Sequence, residues 1–405
     1  MQDSNKKRYF YNFFMRNKSL FKEAFLCMIF AFTVLGIVSW IGVSLNFFSP
    51  FKNAFKDFSY LDMYYAEKLE TNDPNINENI ILVNVDRRNR KELAGMLQKI
   101  QESQPKVIGV DVIFKDLEDP VWDRFLSEFL KSENIVAAYV LNDDKRIVSN
   151  KNILEEGVAS GYSNFNFDDE SAVIRNFRGV YKKNDTILEA FGTAVSKKFR
   201  ASDWDMGMDN FLSIDRPINY TGNRDFFLVL EYDEIMNDEF SHLMKDKIVM
   251  VGYLGNPIQH RFDLEDKHFT PMNPRFVGKS PPDTFGLVIH ANIVQMIIEG
   301  NFIKVVPNWI RILLTVLLTY MALCYFIWLN KRQLASYILR LNIVQLFFIV
   351  FFVWVALLLF RQKLLFKTAS ITAVIVFSIG LIGFYKKLAH YLYKRFKWQG
   401  FFFHD

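Results

Sequence analysis

Two aspartates at the ends of apolar runs are the first candidates for binding chemistry. Asp86 follows residues 79–85, NIILVNV, and Asp111 lies within residues 106–114, KVIGVDVIF. Open α/β sheets bind ligands at the carboxyl ends of their strands, where two carboxylates can receive a cation or the donors of a small molecule. Two structural roles compete, because Asp86 can cap the following helix and Asp111 can accept hydrogen bonds inside the sheet.

Arg175 and Tyr253 are candidates for binding an anion. Arg175 follows the acidic run 168–170 and can either pair with one of the aspartates in that run or hold an anion in a bidentate manner. Tyr253 belongs to the turn 252–255, whose backbone amides can face an anion unless the turn is only a tight connection. The turn lacks the Lys-Ser/Thr pair of a phosphate loop, so we do not expect a nucleotide there.

Three histidines raise the question of a metal. His260, Asp263 and His268 share a long loop, but without cysteines or an H-x-x-x-H helix they do not predict a metal site. Asp263 remains a candidate for ligand binding. His290, in the run VIHANI, either faces the strand ends or is a core histidine bonded to the backbone.

The sequence lacks the usual catalytic patterns. There is no G-x-S-x-G turn, and the two cysteines, Cys27 and Cys324, both lie in long apolar runs. No pair of carboxylates is spaced beside an acid/base histidine. We therefore expect neither an enzyme nor a cofactor.

The elements that position these residues form an α/β pattern. Apolar, β-branched runs predict buried strands at residues 79–85, 106–114, 135–141 and 247–251. Amphipathic helices are predicted between the strands, for example at 88–104. Because long crossovers connect parallel strands, the fold class expected is α/β, with a largely parallel sheet flanked by helices. Helices are also predicted at 186–199 and 285–299, and residues 200–216 are predicted to be loop.

Four apolar runs are long enough to cross a membrane and account for the 51% apolar composition. Basic residues cluster before the first run, after the second and after the last, which favours a cytoplasmic position for both termini. The block 49–306 holds 31 Lys and Arg against 41 Asp and Glu, so the overall net charge of +5 comes from the remaining residues. Charge sorted in this way is explained by topology and by the lipid bilayer, and it argues against nucleic acid as a partner.

The expected organisation is one span before a large extracytoplasmic domain and three spans after it. In chain order the segments are a cytoplasmic basic tail (1–24), transmembrane helix 1 (25–48), the extracytoplasmic domain (49–306), transmembrane helix 2 (308–329), a cytoplasmic loop (330–340), transmembrane helix 3 (341–360), transmembrane helix 4 (364–385) and a cytoplasmic basic, amphipathic tail (386–405).

An ordered set of short motifs resembles one family, the second type of CHASE domain. The motifs are IILVNVD (80–86), VIGVDVIF (107–114), GYSNFNFDDESAVIRNFR (161–178), INYTG (218–222), KIVMVG (247–252), Thr270-Pro271 and VIHANI (288–293). Asp86 is followed by Arg87-Arg88-Asn89 where members often carry an acidic residue and a serine, which leaves any inherited ligand undefined.

The resemblance implies an extracytoplasmic sensory module of the kind that bacterial kinases and cyclases carry. We therefore expect a multi-pass sensor of the bacterial inner membrane that detects an unknown small molecule or protein. The tail after the last span is too short for an output domain, so the signal is expected to pass to a separate cytoplasmic or membrane effector. A homodimer is implied by the resemblance alone. The alternative is a membrane-anchored scaffold or assembly factor that holds another envelope protein.

Overall fold

The computed structural model describes residues 18–45, 65, 76–142, 147–165, 173–183, 186–256, 263–273, 281–331, 337–397 and 402. The chain divides into two compact units, residues 53–303 and the segments 1–52 and 304–405 together. The helices in chain order are α1 (Lys18–Leu45), α2 (Arg90–Glu102), α3 (Pro120–Leu130), α4 (Phe191–Arg200), α5 (Met206–Phe211), α6 (Tyr232–Met236), α7 (Ser241–Met244), α8 (Gly286–Glu299), α9 (Asn308–Lys331), α10 (Tyr337–Arg361), α11 (Ala369–Gly380) and α12 (Ile382–Phe396).

The strands belong to one large sheet and several two-stranded ladders. They are β1 (Ile80–Asn84), β2 (Val107–Asp111), β3 (Ile135–Leu141), β4 (Ile147–Val148), β5 (Ser160–Tyr162), β6 (Asn176–Phe177), β7 (Val180–Lys183), β8 (Thr186–Glu189), β9 (Arg216–Pro217), β10 (Leu228–Leu230), β11 (Ile248–Gly252), β12 (Lys267–His268), β13 (Thr284–Phe285), β14 (Lys304–Val305) and β15 (Leu364–Leu365).

The main sheet of unit 53–303 confirms the predicted α/β class. Its order is β10-β1-β11-β2-β3, with β5 parallel and β4 antiparallel on the outer edge of β3. The other pairings are parallel. The predicted strands β1 and β2 are both present and parallel, but they are not neighbours. β11 lies between them, with Val249 opposite Ile81 on one side and opposite Ile108 on the other.

Both faces of the sheet are covered by helices, which explains why its strands are almost uniformly apolar. Alternate strand residues point to α2, α3, α6 and α7 on one face, in a core that includes Val83, Val110 and Val251. The intervening residues point to α4 and α8 on the other face, in a core that includes Leu82 and Met250.

Local signals set the ends of the helices. Asn89 and Glu92 form a capping box at the start of α2, and Asp119 caps α3 immediately before Pro120. The α8 helix, predicted at 285–299, ends at Gly300, whose left-handed φ of 65° a glycine adopts without strain.

Two predictions for the middle of the domain are wrong. The helix predicted at 186–199 starts only at Phe191, because Thr186–Glu189 is a strand that pairs with Val180–Lys183 in a hairpin. Residues 200–216, predicted to be loop, contain the short helix α5, which Asp205 caps.

Among the described residues of the second unit, three helices are long and apolar enough to cross a membrane, at Ser19–Ile41, Asn308–Asn330 and Leu339–Arg361. A fourth span results if the pair Ala369–Gly380 and Ile382–Phe396, bent by 42°, is counted as one. The first helix begins at Lys18, before the predicted start at residue 25. Its Glu23 is buried and accepts a hydrogen bond from the Tyr385 hydroxyl at 3.0 Å.

Candidate ligand-binding site

The carboxyl ends of three neighbouring strands meet at a point where the chain leaves toward opposite faces of the sheet. β1 and β2 continue into α2 and α3 on one face, whereas β11, between them, leads to α8 on the other face. A crevice forms where adjacent strands connect in opposite directions, and ligands of open α/β sheets bind there. The predicted site residues Asp86, Asp111 and Tyr253 all lie at this end of the sheet.

Residues 263–268, which we call the crossing segment, join the loops at these strand ends. The Tyr253 hydroxyl, after β11, donates a hydrogen bond to the Asp263 carboxylate and a longer one to Glu265 at 3.4 Å. Arg87, after β1, forms an ion pair with Glu265 at 2.9 Å. The hydrogen bond from Tyr253 lowers the pKa of Asp263, and burial together with that bond raises the pKa of Tyr253.

Asp266 of the crossing segment lies at the first turn of α8. Its carbonyl accepts a hydrogen bond from Gly286 N at 3.0 Å, and a methyl group on Gly286 would come within 2.9 Å of the Asp266 Oδ2. A carboxylate is favoured at a helix N-terminus. Asp111 lies close enough to feel this charge, and burial followed by repulsion from Asp266 raises the pKa of Asp111 to about 7.

His290 is buried beside the other end of the crossing segment. Its ring stacks on Phe165 at 4.6 Å and meets the edge of Phe191 at 5.3 Å, while Phe165 also contacts His268 at 5.3 Å. Burial, with a smaller contribution from His268, lowers the pKa of His290 to about 3. The ring is therefore neutral, and its Nδ1 has no hydrogen-bond partner among the described residues. His290 is buried and has a backbone hydrogen bond at Ser163, as predicted for a core histidine, and its role in ligand binding stays a prediction.

Asn84, which the sequence analysis missed, organises the loops around Asp86. Its side chain accepts hydrogen bonds from Asp86 N at 3.0 Å and Leu254 N at 2.9 Å, and donates to Glu231 and to the Gly255 carbonyl at 2.8 Å each. Asp86 itself has a left-handed φ of 43° and does not cap α2, since Asn89 does. The only available signal for Asn84 was a single amide in an otherwise apolar strand.

A cleft of about 620 Å³ opens between the loop after β1, the loop after β2 and the end of β3. We call it the strand-end cleft. Its lining includes charged residues of both signs. It also includes apolar residues, among them Val85, Leu93 and Val140. The charged residues are Asp86, Arg88, Arg90, Lys115, Asp116 and Glu118. The volume is in the range of small-molecule sites.

A buried ion pair fixes one wall of this cleft. Arg90 Nε lies 3.1 Å from Asp123 Oδ1, with both side chains more than nine-tenths buried, and Arg90 also contacts Glu118 at 3.2 Å. The Asp123 carboxylate accepts hydrogen bonds from the backbone amides of Glu118 and Asp119. The loop after β2 is thereby tied to the start of α2.

The structure brings together five of the six predicted residues. Asp86, Asp111, Tyr253, Asp263 and His290 lie around the strand ends or the crossing segment. Arg175 lies between Val173, which pairs with Phe269 just after the crossing segment, and β6, and its carbonyl accepts a hydrogen bond from Ile218 N. Its predicted acidic partners at 168–170 lie outside the described residues, as does His260.

The described residues contain no group of three or more His, Cys, Asp or Glu side chains placed to hold a metal ion. Asp263 bonds to Tyr253, and His268 lies 3.6 Å from Asp266.

Comparison with known proteins identifies one family. The model of the CHASE2 domain matches residues 34–324, which begins within α1 and ends within α9. The match is wider than the domain expected at 49–306 and includes parts of both flanking apolar helices. No curated protein and no solved structure matches the chain.

Proposed function

Because this chain belongs to the CHASE2 family of sensory domains, we propose that it is a sensor of the bacterial cell membrane. In this proposal unit 53–303 stands outside the cytoplasm and detects a ligand at the ends of its strands. The apolar helices anchor it, and a separate effector receives the signal. The family match and the presence of helices able to cross a membrane support the proposal.

The observation that carries signal transfer is the course of α8. Its first turn contacts Asp266 of the crossing segment, and its residues are buried from Gly286 to Ile297. After Gly300 the chain continues to Asn308, where an apolar helix able to cross a membrane begins. A ligand that favours one position of the crossing segment therefore acts on the start of a helix that is connected by a short linker to a span.

A ligand shifts such an element only if its affinity differs between two states. The position of the crossing segment is a feature in which two states can differ, because polar contacts rather than an apolar core hold this segment to its neighbours. Arg87 and Glu265 are both largely exposed, so their ion pair contributes little stability.

Hydrogen exchange on the full chain in lipid nanodiscs tests this proposal. A sensor is expected to show altered exchange in two places when the small-molecule fraction of an envelope extract is added: the crossing segment and residues 296–307. Changes confined to the strand ends would mean binding without transmission and would contradict the proposal.

A scaffold remains the second candidate because two exposed apolar side chains lie beside the cleft. Leu117 and Val121 are 53% and 69% exposed, on the loop after β2 and the start of α3. Contiguous apolar patches on a protein surface mark protein contacts, and the scaffold proposal takes Leu117 and Val121 as part of one. If only the protein fraction of the extract alters exchange, and alters it at residues 117–121, the scaffold replaces the sensor.

A further inference from the structure

The strand-end cleft carries charged groups that have no partner in the described part of the chain. The carboxylates of Asp86 and Asp116 and the ammonium group of Lys115 form no hydrogen bond or ion pair among the described residues. Other charged side chains of the cleft are paired, as Arg90 is with Asp123 and Glu118. As far as the structure describes the chain, the cleft therefore presents charged groups of both signs that are not paired.

Arg88 adds a donor that the fold does not satisfy. Its Nε is buried and has no hydrogen-bond partner among the described residues. The guanidinium is held over the ring of Tyr232, 4.3 Å from the centroid, and its ion pair with Glu92, at 3.7 Å, is long. A guanidinium fixed in this manner is suited to receiving a carboxylate from a ligand.

The backbone around the cleft is held in place before any ligand arrives. Asp86 has a φ of 43°, a region that non-glycine residues rarely occupy, and such strain is concentrated at functional sites. Asn84 fixes the amide of Asp86, and the Arg90–Asp123 pair fixes the loop that carries Lys115. Preorganised charged groups lose less entropy when a ligand binds.

From these observations we propose that the strand-end cleft binds a small zwitterion, that is, a free amino acid or a short peptide. Its ammonium group pairs with Asp86, with Asp116 available at the rim, and its carboxylate pairs with Lys115 and Arg88. The apolar lining from Val85, Leu93 and Val140 receives the remainder of the ligand. A ligand carrying only one charge would leave the opposite set of groups unpaired in the cleft.

The test uses the full chain in nanodiscs and a panel of free amino acids and dipeptides, with the midpoint of thermal unfolding and calorimetric titration as measurements. At least one free compound is expected to bind. Its N-acetyl and its C-amide derivatives, which each lack one charge, are expected to bind more weakly by a factor of about ten or more. A panel without binding, or derivatives that bind as tightly as the parent compound, would overturn the proposal.

Two substitutions assign the charges, and two matched substitutions control for them. Asp86→Asn and Lys115→Gln are each expected to weaken binding of the free compound about tenfold. Asp86→Asn is expected to leave the affinity for the N-acetyl derivative unchanged, because that derivative has no ammonium group. Lys115→Gln is expected to leave the affinity for the C-amide derivative unchanged, because that derivative has no carboxylate. The controls Asp225→Asn and Lys91→Gln alter exposed residues that do not line the cleft and are expected to bind as the parent does. Unchanged affinity in both cleft variants would also sink the proposal.

This inference rests on the proposed function for its biological meaning, but the two fail separately. Binding of a zwitterion without altered exchange at residues 296–307 would leave the cleft chemistry intact and remove the sensor. Altered exchange there with an extract, together with an unresponsive amino acid panel, would leave the sensor intact and remove the zwitterion.

Discussion

The fold holds the carboxyl group of Asp111 near that of Asp266, which lies at the start of α8. The Asp111 carboxylate has no hydrogen bond or ion pair among the described residues, and burial and repulsion raise its pKa to about 7. In the unfolded chain the pKa is near the ordinary value of 3.8. As the pH rises from about 4, the unfolded state ionises first, so the contribution of Asp111 to stability is present below that pH and is lost by about pH 7.

Replacement of Asp111 by asparagine is therefore expected to stabilise the protein at high pH. At pH 8 the gain is expected to be about 2 kcal/mol, well below the full linkage value because the pair can relax. At pH 5 the gain should be clearly smaller. Denaturant unfolding at both pH values measures the difference, with the exposed Asp225→Asn as a control. An equal effect at the two pH values would show that Asp111 does not titrate in this range.

Asn84 makes four hydrogen bonds from a fully buried position, and two of its partners are backbone amides of different loops. Asn84→Ala leaves these partners unsatisfied and is expected to cost about 3 kcal/mol of the free energy of unfolding. Asn134→Ala is the matched control. It removes a single partly buried bond, to the carbonyl of Pro105, and is expected to cost about 1 kcal/mol. Similar losses for both variants would contradict the organising role of Asn84.

Single residues at the ends of strands could be predicted, whereas their partners could not. Asp86 and Asp111 follow directly from the position of carboxylates at the ends of apolar runs. Glu265 and Asp266 contact Arg87 and Gly286 across a loop without periodicity, and no local pattern reports that contact. Lys115 and Arg88 were missed for the same reason, because the cleft exists only once three strands are aligned.

At the scale of elements, the sequence predicts the strands better than their order. The runs that became β1, β2, β3 and β11 are buried on both faces, so their composition alone marks them. The placement of β11 between β1 and β2 depends on pairing between residues far apart in the chain. The helix predicted at 186–199 was wrong in its first turn for a local reason. Ile187 matched a helical spacing of apolar residues but belongs to an exposed strand of a hairpin.

The close approach of β5 to α4 gives a prediction at this scale. A Cβ on Gly161 would lie 2.6 Å from the Cα of Phe191, which is backbone and cannot move aside. Gly161→Ala is expected to push α4 from the sheet and to cost about 3 kcal/mol of unfolding free energy. Gly95→Ala, on α2 with nothing within 4 Å, is expected to add about 0.5 to 1 kcal/mol. Thermal unfolding of both variants measures the contrast, and a neutral Gly161→Ala would refute the packing argument.

For the whole molecule, charge is divided between the two parts of the sequence. The block 49–306 has ten more acidic than basic residues, and the remainder has fifteen more basic than acidic ones. Basic residues close to the ends of membrane spans are retained on the cytoplasmic side, and those of the remainder lie near the ends of the apolar runs. This distribution of basic residues is the basis for proposing that both termini are cytoplasmic.

Cysteine labelling tests that orientation, because Cys27 and Cys324 can both be replaced by alanine to give a clean background. In spheroplasts a membrane-impermeant maleimide is expected to label Lys151→Cys, an exposed position of unit 53–303, and not Lys394→Cys, an exposed position of α12. Labelling of both should follow once the membrane is permeabilised. The reverse pattern in intact spheroplasts would invert the proposed topology.

The position of β11 also constrains how the domain comes into being. β11 is the strand between β1 and β2, yet it ends only at Gly252, far behind them in the order of synthesis. The first part of the chain to be synthesised thus carries two five-residue strands, each with an edge that lacks its final neighbour. Because β1 and β2 are joined only through β11, the centre of the sheet can close only after residues 248–252 have been made.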